Sequence, residues 1–218
     1  MTNSNIPDEL EVAPGFTVKL WKGLALDPDV PKCADWQKAI DIFDARVRCR
    51  FLNPVDELLR LEESRPLKTF GFTILAIDFL VIETLQGFRE GVIDHTSKSK
   101  HLITNFLMQW TSFTARLPVK ADAHGYACKI YKAYRCALHH SGATDGAFRV
   151  GISGPMVDFK TDHEVKINRS CFHQKLKREF DGYLVDLSKT DKRELRCNFR
   201  KKMNAICGLT EMPHGHAK

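Results

Sequence analysis

No C-x-x-C pair occurs among the seven cysteines, Cys33, Cys49, Cys128, Cys136, Cys171, Cys197 and Cys207. That absence excludes the usual zinc-ribbon and thiol-redox spacings. An odd count without a regular framework suits a reducing cytoplasm, where thiols serve as small buried apolar groups. Cys128 and Cys136 would be about 12 Å apart along one helix, too far to bridge. The histidines form no clear ligand set either: His214 and His216 stand in a polar tail. The expectation is therefore no metal and no cofactor.

A charged-then-apolar leader is missing, because Met1 to Glu11 is polar and acidic. The most apolar run, Phe70 to Ile82, is short for a bilayer and carries Asp78 in its middle. These two features predict a cytoplasmic protein with no membrane segment. There is no internal repeat and no low-complexity tract. What is present, 43% hydrophobic and 28% charged residues over 218 positions, is enough for a globular fold with a proper core.

The net charge of +6 is uneven. Residues 1–159 balance at 19 basic and 19 acidic, whereas residues 160–202 hold 13 basic and 7 acidic. A basic C-terminal portion is compatible with nucleic acid, and equally with a solvated helical surface.

In chain order, residues 1–15 have the composition of a disordered start, and Phe16, Val18 and Leu20 alternate as in a short strand or arm. A helix is predicted over about 35–49, with Trp36, Ala39, Ile40, Phe43 and Val47 in one stripe. Asn53 is placed as the cap of a second helix ending near Glu63, with Pro54 at its first position. Residues 67–90 are apolar nearly all round, which predicts a central helix. Its polar exceptions Asp78, Glu83 and Gln86 must then lie at a seam or be hydrogen-bonded.

Helices over about 98–117 and 122–140 follow. A small β-hairpin is expected at about 148–167, with a polar turn over 160–164. Two amphipathic helices then start from candidate caps Ser170 and Ser188 or Asp191, and Gly208 ends the last of them and opens a tail, over 208–218, expected to be disordered. The predicted architecture is a mainly all-α bundle, one domain over 16–207, with the small β-hairpin inserted before the C-terminal helices.

The chemistry-bearing stretch is Tyr134-Arg135-Cys136-Ala137-Leu138-His139-His140-Ser141-Gly142, at the end of the fifth long helix. Arginine holds a phosphate through two parallel hydrogen bonds, and histidine moves a proton near neutral pH. Basic residues also suit the negative end of a helix dipole without any catalytic role. On a continuing helix His139, four residues on, shares the face of Arg135. His140 shares it only where the helix tightens or ends, and Ser141-Gly142 is a helix-ending signal.

Several segments together resemble one bacterial subfamily of the HEPN superfamily. They are Trp36 with Ile40-Asp41-Ile42-Phe43, Arg50-Phe51-Leu52-Asn53-Pro54, Ala76 to Gly91, and Arg135-Cys136-Ala137-Leu138-His139-His140. The resemblance extends over about 35–206. It implies a helical bundle that works as a homodimer and, in many members, a metal-independent ribonuclease of toxin–antitoxin, antiphage or RNA-processing systems.

The shared R-x4-6-H motif falls on Arg135 and His140, with His139 just outside its range. Cys136 stands where the family often has a polar residue. The implied reaction is attack by the RNA 2′-OH, leaving 2′,3′-cyclic phosphate and 5′-OH ends from a site completed by the second subunit. Asp78 and Glu83 are expected to support that site, and an antitoxin or other protein is an expected partner. The alternative is a non-catalytic HEPN module that binds RNA, a nucleotide or a partner protein.

Overall fold

Apolar residues at helical spacing become helices along most of the chain. The computed structural model describes residues 6–135, 148–159 and 164–209, with Tyr134 and Arg135 described in their backbone only. Among these, a two-stranded antiparallel pair, β1 (Glu11–Ala13) and β2 (Phe16–Thr17), leads into α1 (Val18–Lys22). Then come α2 (Ala34–Val47), α3 (Asn53–Glu63), α4 (Gly71–Arg89), α5 (Ser99–Gln109), α6 (Thr111–Thr114) and α7 (Ala123–Arg135). Strands β3 (Phe148–Gly151), β4 (Val157–Phe159) and β5 (Val165–Asn168) precede α8 (Arg169–Leu187) and α9 (Arg193–Ile206). The fold is mainly helical with two small sheets.

The predicted stripe Trp36, Ala39, Ile40, Phe43 and Val47 is buried throughout. Several boundaries differ from the sequence expectation, each for a local reason. Asn53 does not cap α3: a π-helical turn, Arg48–Leu52, leads into it, and Leu52 is already in the right-handed helical region. The helix predicted over 98–117 breaks at Trp110, whose extended ψ of 103° separates α5 from α6.

Asn168, not Ser170, caps α8, its Oδ1 accepting from the Cys171 N–H at 3.2 Å. The first turn of α9 has no side-chain cap from Ser188 or Asp191. Part of the stretch expected to lack structure is strand β1, in which Val12 and Ala13 are buried. The antiparallel pair β4 and β5 supplies two strands of a three-stranded sheet ordered β3-β5-β4, in which β3 lies parallel to β5 with Phe148 opposite Val165. Residues 160–163 of the turn expected over 160–164, and residues 210–218 of the expected tail, lie outside the described residues.

Two compact units partition the chain. The first comprises Met1–Cys49, Gly87–Asp94 and Tyr183–Lys218. Its core is aromatic and centred on Phe199 of α9, whose ring lies 5.3 Å from Phe43, 5.8 Å from Phe88, 5.9 Å from Trp21 and 6.1 Å from Trp36. Trp21 and Trp36 can be buried because each indole N–H has an acceptor, Asn204 Oδ1 and the Asp27 carbonyl. Gly91 sits at φ +63°, and a Cβ there would come within 2.6 Å of Asn198 Oδ1, so glycine is required. Asn198 in turn donates to the Arg89 carbonyl at the end of α4.

The second unit comprises Arg50–Gln86 and His95–Gly182. A chain of rings, Phe79–Phe172–Trp110–Phe106, runs through it at centroid spacings of 5.2–5.5 Å. At the start of α4, a Cβ on Gly71 would lie 2.7 Å from Val150 Cγ1, so the bare backbone is what lets helix and sheet approach there.

By length and composition α4 is apolar enough to cross a membrane, which corrects the shorter estimate from Phe70–Ile82. A mostly buried core helix passes the same test, and here Ile74, Leu75, Phe79, Val81, Ile82, Leu85 and Phe88 are all buried.

Candidate functional site

The motif begins where α7 ends. Asp122 Oδ1 accepts from the Gly125 N–H at 3.2 Å and starts the helix. Ala127 and Ile130 are buried within the second unit, and Tyr126 lies 4.6 Å from the Phe159 ring of β4. These contacts fix the rotation of α7 about its axis, with Arg135 as its last residue. The Arg135 side chain lies outside the described residues, as do Cys136, His139 and His140.

The two carboxylates expected beside the motif have different partners. Glu83 is half-buried; its Oε2 accepts from the Ser99 hydroxyl at 2.6 Å, and its Oε1 lies 3.1 Å from His95 Nδ1. Asp78 is fully buried and lies 2.7 Å from Nδ1 of His173, itself fully buried on α8. The requirement that an acid on this helix be hydrogen-bonded is thus met from a helix distant in sequence.

Beyond His173 the network continues outward. Its Nε2 lies 3.3 Å from Asp56 Oδ1 on α3, without the alignment of a hydrogen bond, and Asp56 Oδ2 accepts from Lys177 Nζ at 2.6 Å. Helical spacing explains the outer end, since Lys177 is one turn beyond His173 on α8. Burial pushes the Asp78 carboxyl up to about 6, with the nearby Asp56 charge adding to it, while the hydrogen bond from His173 pulls the other way.

A buried carboxylate on Nδ1 that leaves Nε2 facing outward is how general-base histidines are oriented. Here Nε2 meets a carboxylate instead of a hydroxyl or thiol. The network can therefore hold and share a proton, but it contains no nucleophile.

A second polar tie lies nearby in the same unit. Arg169, at the start of α8, pairs through Nη2 with Glu62 Oε2 in α3, both buried. Glu62 Oε1 accepts the Phe70 N–H at 2.6 Å. Burial alone would raise the Glu62 pKa, yet the Arg169 hydrogen bond and the backbone donors outweigh it and hold the group below its ordinary value.

The basic C-terminal excess also acquires partners. Arg196 of α9 is fully buried and donates to the carbonyls of Pro28, Leu187, Lys189 and Thr190. Lys202 is buried and donates to the Val92 carbonyl, with its ammonium 5.0 Å from the Phe88 ring centroid. Together with Arg169 and Lys177, these cations serve the fold rather than a solvated or nucleic-acid-facing surface. Periodicity counts apolar residues and so missed them. His173 had one visible signal, its place among Phe172, Leu176 and Phe180 on the inward side of α8.

Comparison of the chain with protein-family models, with curated proteins and with solved structures gives no match.

Proposed function

We propose that the chain is a metal-independent RNA endonuclease of HEPN type, a cytoplasmic homodimer whose site is built from Arg135 and His140 of both subunits. The observation that carries this reading is the R-x4-H spacing Arg135–His140 starting at the C-terminal end of a helix docked through Ala127 and Ile130. The mainly helical fold and the similar segments over 35–206 support it. Arginine stabilises charge developing on the phosphate oxygens, and histidine passes a proton between the 2′-OH nucleophile and the 5′-oxygen. His139 is the neighbouring, non-essential histidine, while Asp78 and Glu83 hold helices behind the site. Stress response, toxin–antitoxin pairing or phage defence is the proposed setting, with an antitoxin or other protein as partner.

A second reading, a non-catalytic HEPN module binding RNA, a nucleotide or a partner, is favoured by Cys136. A thiol next to the arginine orients phosphate poorly.

Purified protein incubated with total RNA in EDTA distinguishes the two. Cleavage leaving 2′,3′-cyclic phosphate ends is expected, falling at least about 100-fold in Arg135→Ala and His140→Ala and little in His139→Ala. Absence of cleavage by folded wild-type protein that is also harmless on expression would remove the nuclease reading.

A further inference from the structure

Between Asp122 and Asp145 the chain has no Asp or Glu, while it has His124, Lys129, Lys132, Arg135, His139 and His140. Much of this segment is α7. With Ala127 and Ile130 buried, the opposite side of the helix faces solvent: His124, Lys129 and Lys132 are exposed, and Tyr131 is half-buried on its flank. Lys129 Nζ stands 5.3 Å from the centroid of the Tyr126 ring, so cation and aromatic are interleaved on this surface. Arg135 is three residues beyond Lys132, a rise of about 4.5 Å along the axis.

An acid-free helix face with cations at its centre and an aromatic on its flank has the chemistry of a single-stranded nucleic-acid track. Phosphates meet the ammonium groups, and an unpaired base stacks on the ring. A duplex offers no unpaired base to Tyr131. The C-terminal helices, by contrast, bury three of their nine cations, Arg169, Arg196 and Lys202, and intersperse acids among the others.

We propose that the solvent face of α7 binds single-stranded RNA, Lys129 and Lys132 holding successive phosphates and Tyr131 stacking a base, in a track that leads to Arg135. The assignment rests on the reading of Arg135 as a phosphate-binding residue. It does not require that the RNA be cut.

The test is anisotropy of a short fluorescent single-stranded RNA with methylated 2′-hydroxyls, which cannot be cleaved by the 2′-OH route. Lys129→Gln/Lys132→Gln should bind about tenfold more weakly than wild type, with a salt slope smaller by about 1.4. Tyr131→Leu should lose affinity that high salt does not remove. Arg178→Gln/Lys201→Gln, at exposed positions on α8 and α9, should bind as wild type does.

Unchanged affinity in the folded α7 double variant would overturn the proposal. So would equal weakening by the α8/α9 control, or failure of wild type to bind. Intact binding without cleavage of ordinary RNA would remove the nuclease reading and leave this one standing.

Discussion

Asp78 and His173 meet at 2.7 Å with neither side chain exposed to water, joining the middle of α4 to the first turns of α8. The pair is polar material in a largely aromatic and aliphatic core. Among the described residues, one oxygen of Asp78 and one nitrogen of His173 have no hydrogen-bond partner. Burying such groups is costly, so the tie adds orientation of the helices more than stability.

The pH dependence of stability follows from Asp78. An unfolded aspartate titrates near its ordinary value of about 3.9, whereas burial pushes Asp78 up to about 6. Between these values the folded state holds a proton that the unfolded chain has lost, so this group's contribution falls as pH rises and stays low above about 6. The swing is on the order of 3 kcal/mol. Asp78→Asn should remove it, so that urea midpoints of variant and wild type converge or cross between pH 4 and 6 and keep a constant difference above about 6. Parallel midpoints across that window would show that Asp78 is not held protonated by burial.

Arg169→Leu should cost about 3–5 kcal/mol, because it leaves Glu62 charged, buried and unpaired. Adding Glu62→Gln removes the stranded charge and keeps a carbonyl for the Phe70 N–H, so the double variant should recover much of the loss. Denaturant unfolding of the four-member cycle measures the coupling. Additive losses would mean that the two groups do not depend on each other.

Tyr183 is buried among Phe43 and its neighbours, and its hydroxyl has no hydrogen-bond partner among the described residues. Burial also drives its pKa well above the usual phenolic range. Tyr183→Phe should therefore raise stability by about 1 kcal/mol. A loss of that size in thermal or urea unfolding would reveal a bonded hydroxyl.

Legibility in the sequence followed the reach of the interaction. The α2 stripe from Trp36 to Val47 and the strands around Phe148, Val157 and Val165 were readable because period and turn chemistry act over a few residues. Leu102, Phe106, Trp110 and Phe113 share one helical stripe and are all buried, but the break at Trp110 is not legible, since no Pro or Gly marks it. Parallel pairing of β3 with β5 was equally hidden, because period 2 is the same for either direction. Arg196 and Lys202 look like surface cations in any periodic plot, and only the carbonyls that surround them explain their burial.

The sequence by itself determined a mainly helical chain, the inner faces of its helices, the need for a partner at Asp78, and the Arg135–His140 spacing at the end of α7. Those properties depend on side chains within a turn or two of one another. Tertiary structure alone decided that Asp78 meets His173, 95 residues away, and that Glu62 meets Arg169. It also decided which cations face inward. Such pairings depend on which helix faces pack together, and many partners equally distant in sequence would satisfy the same local pattern.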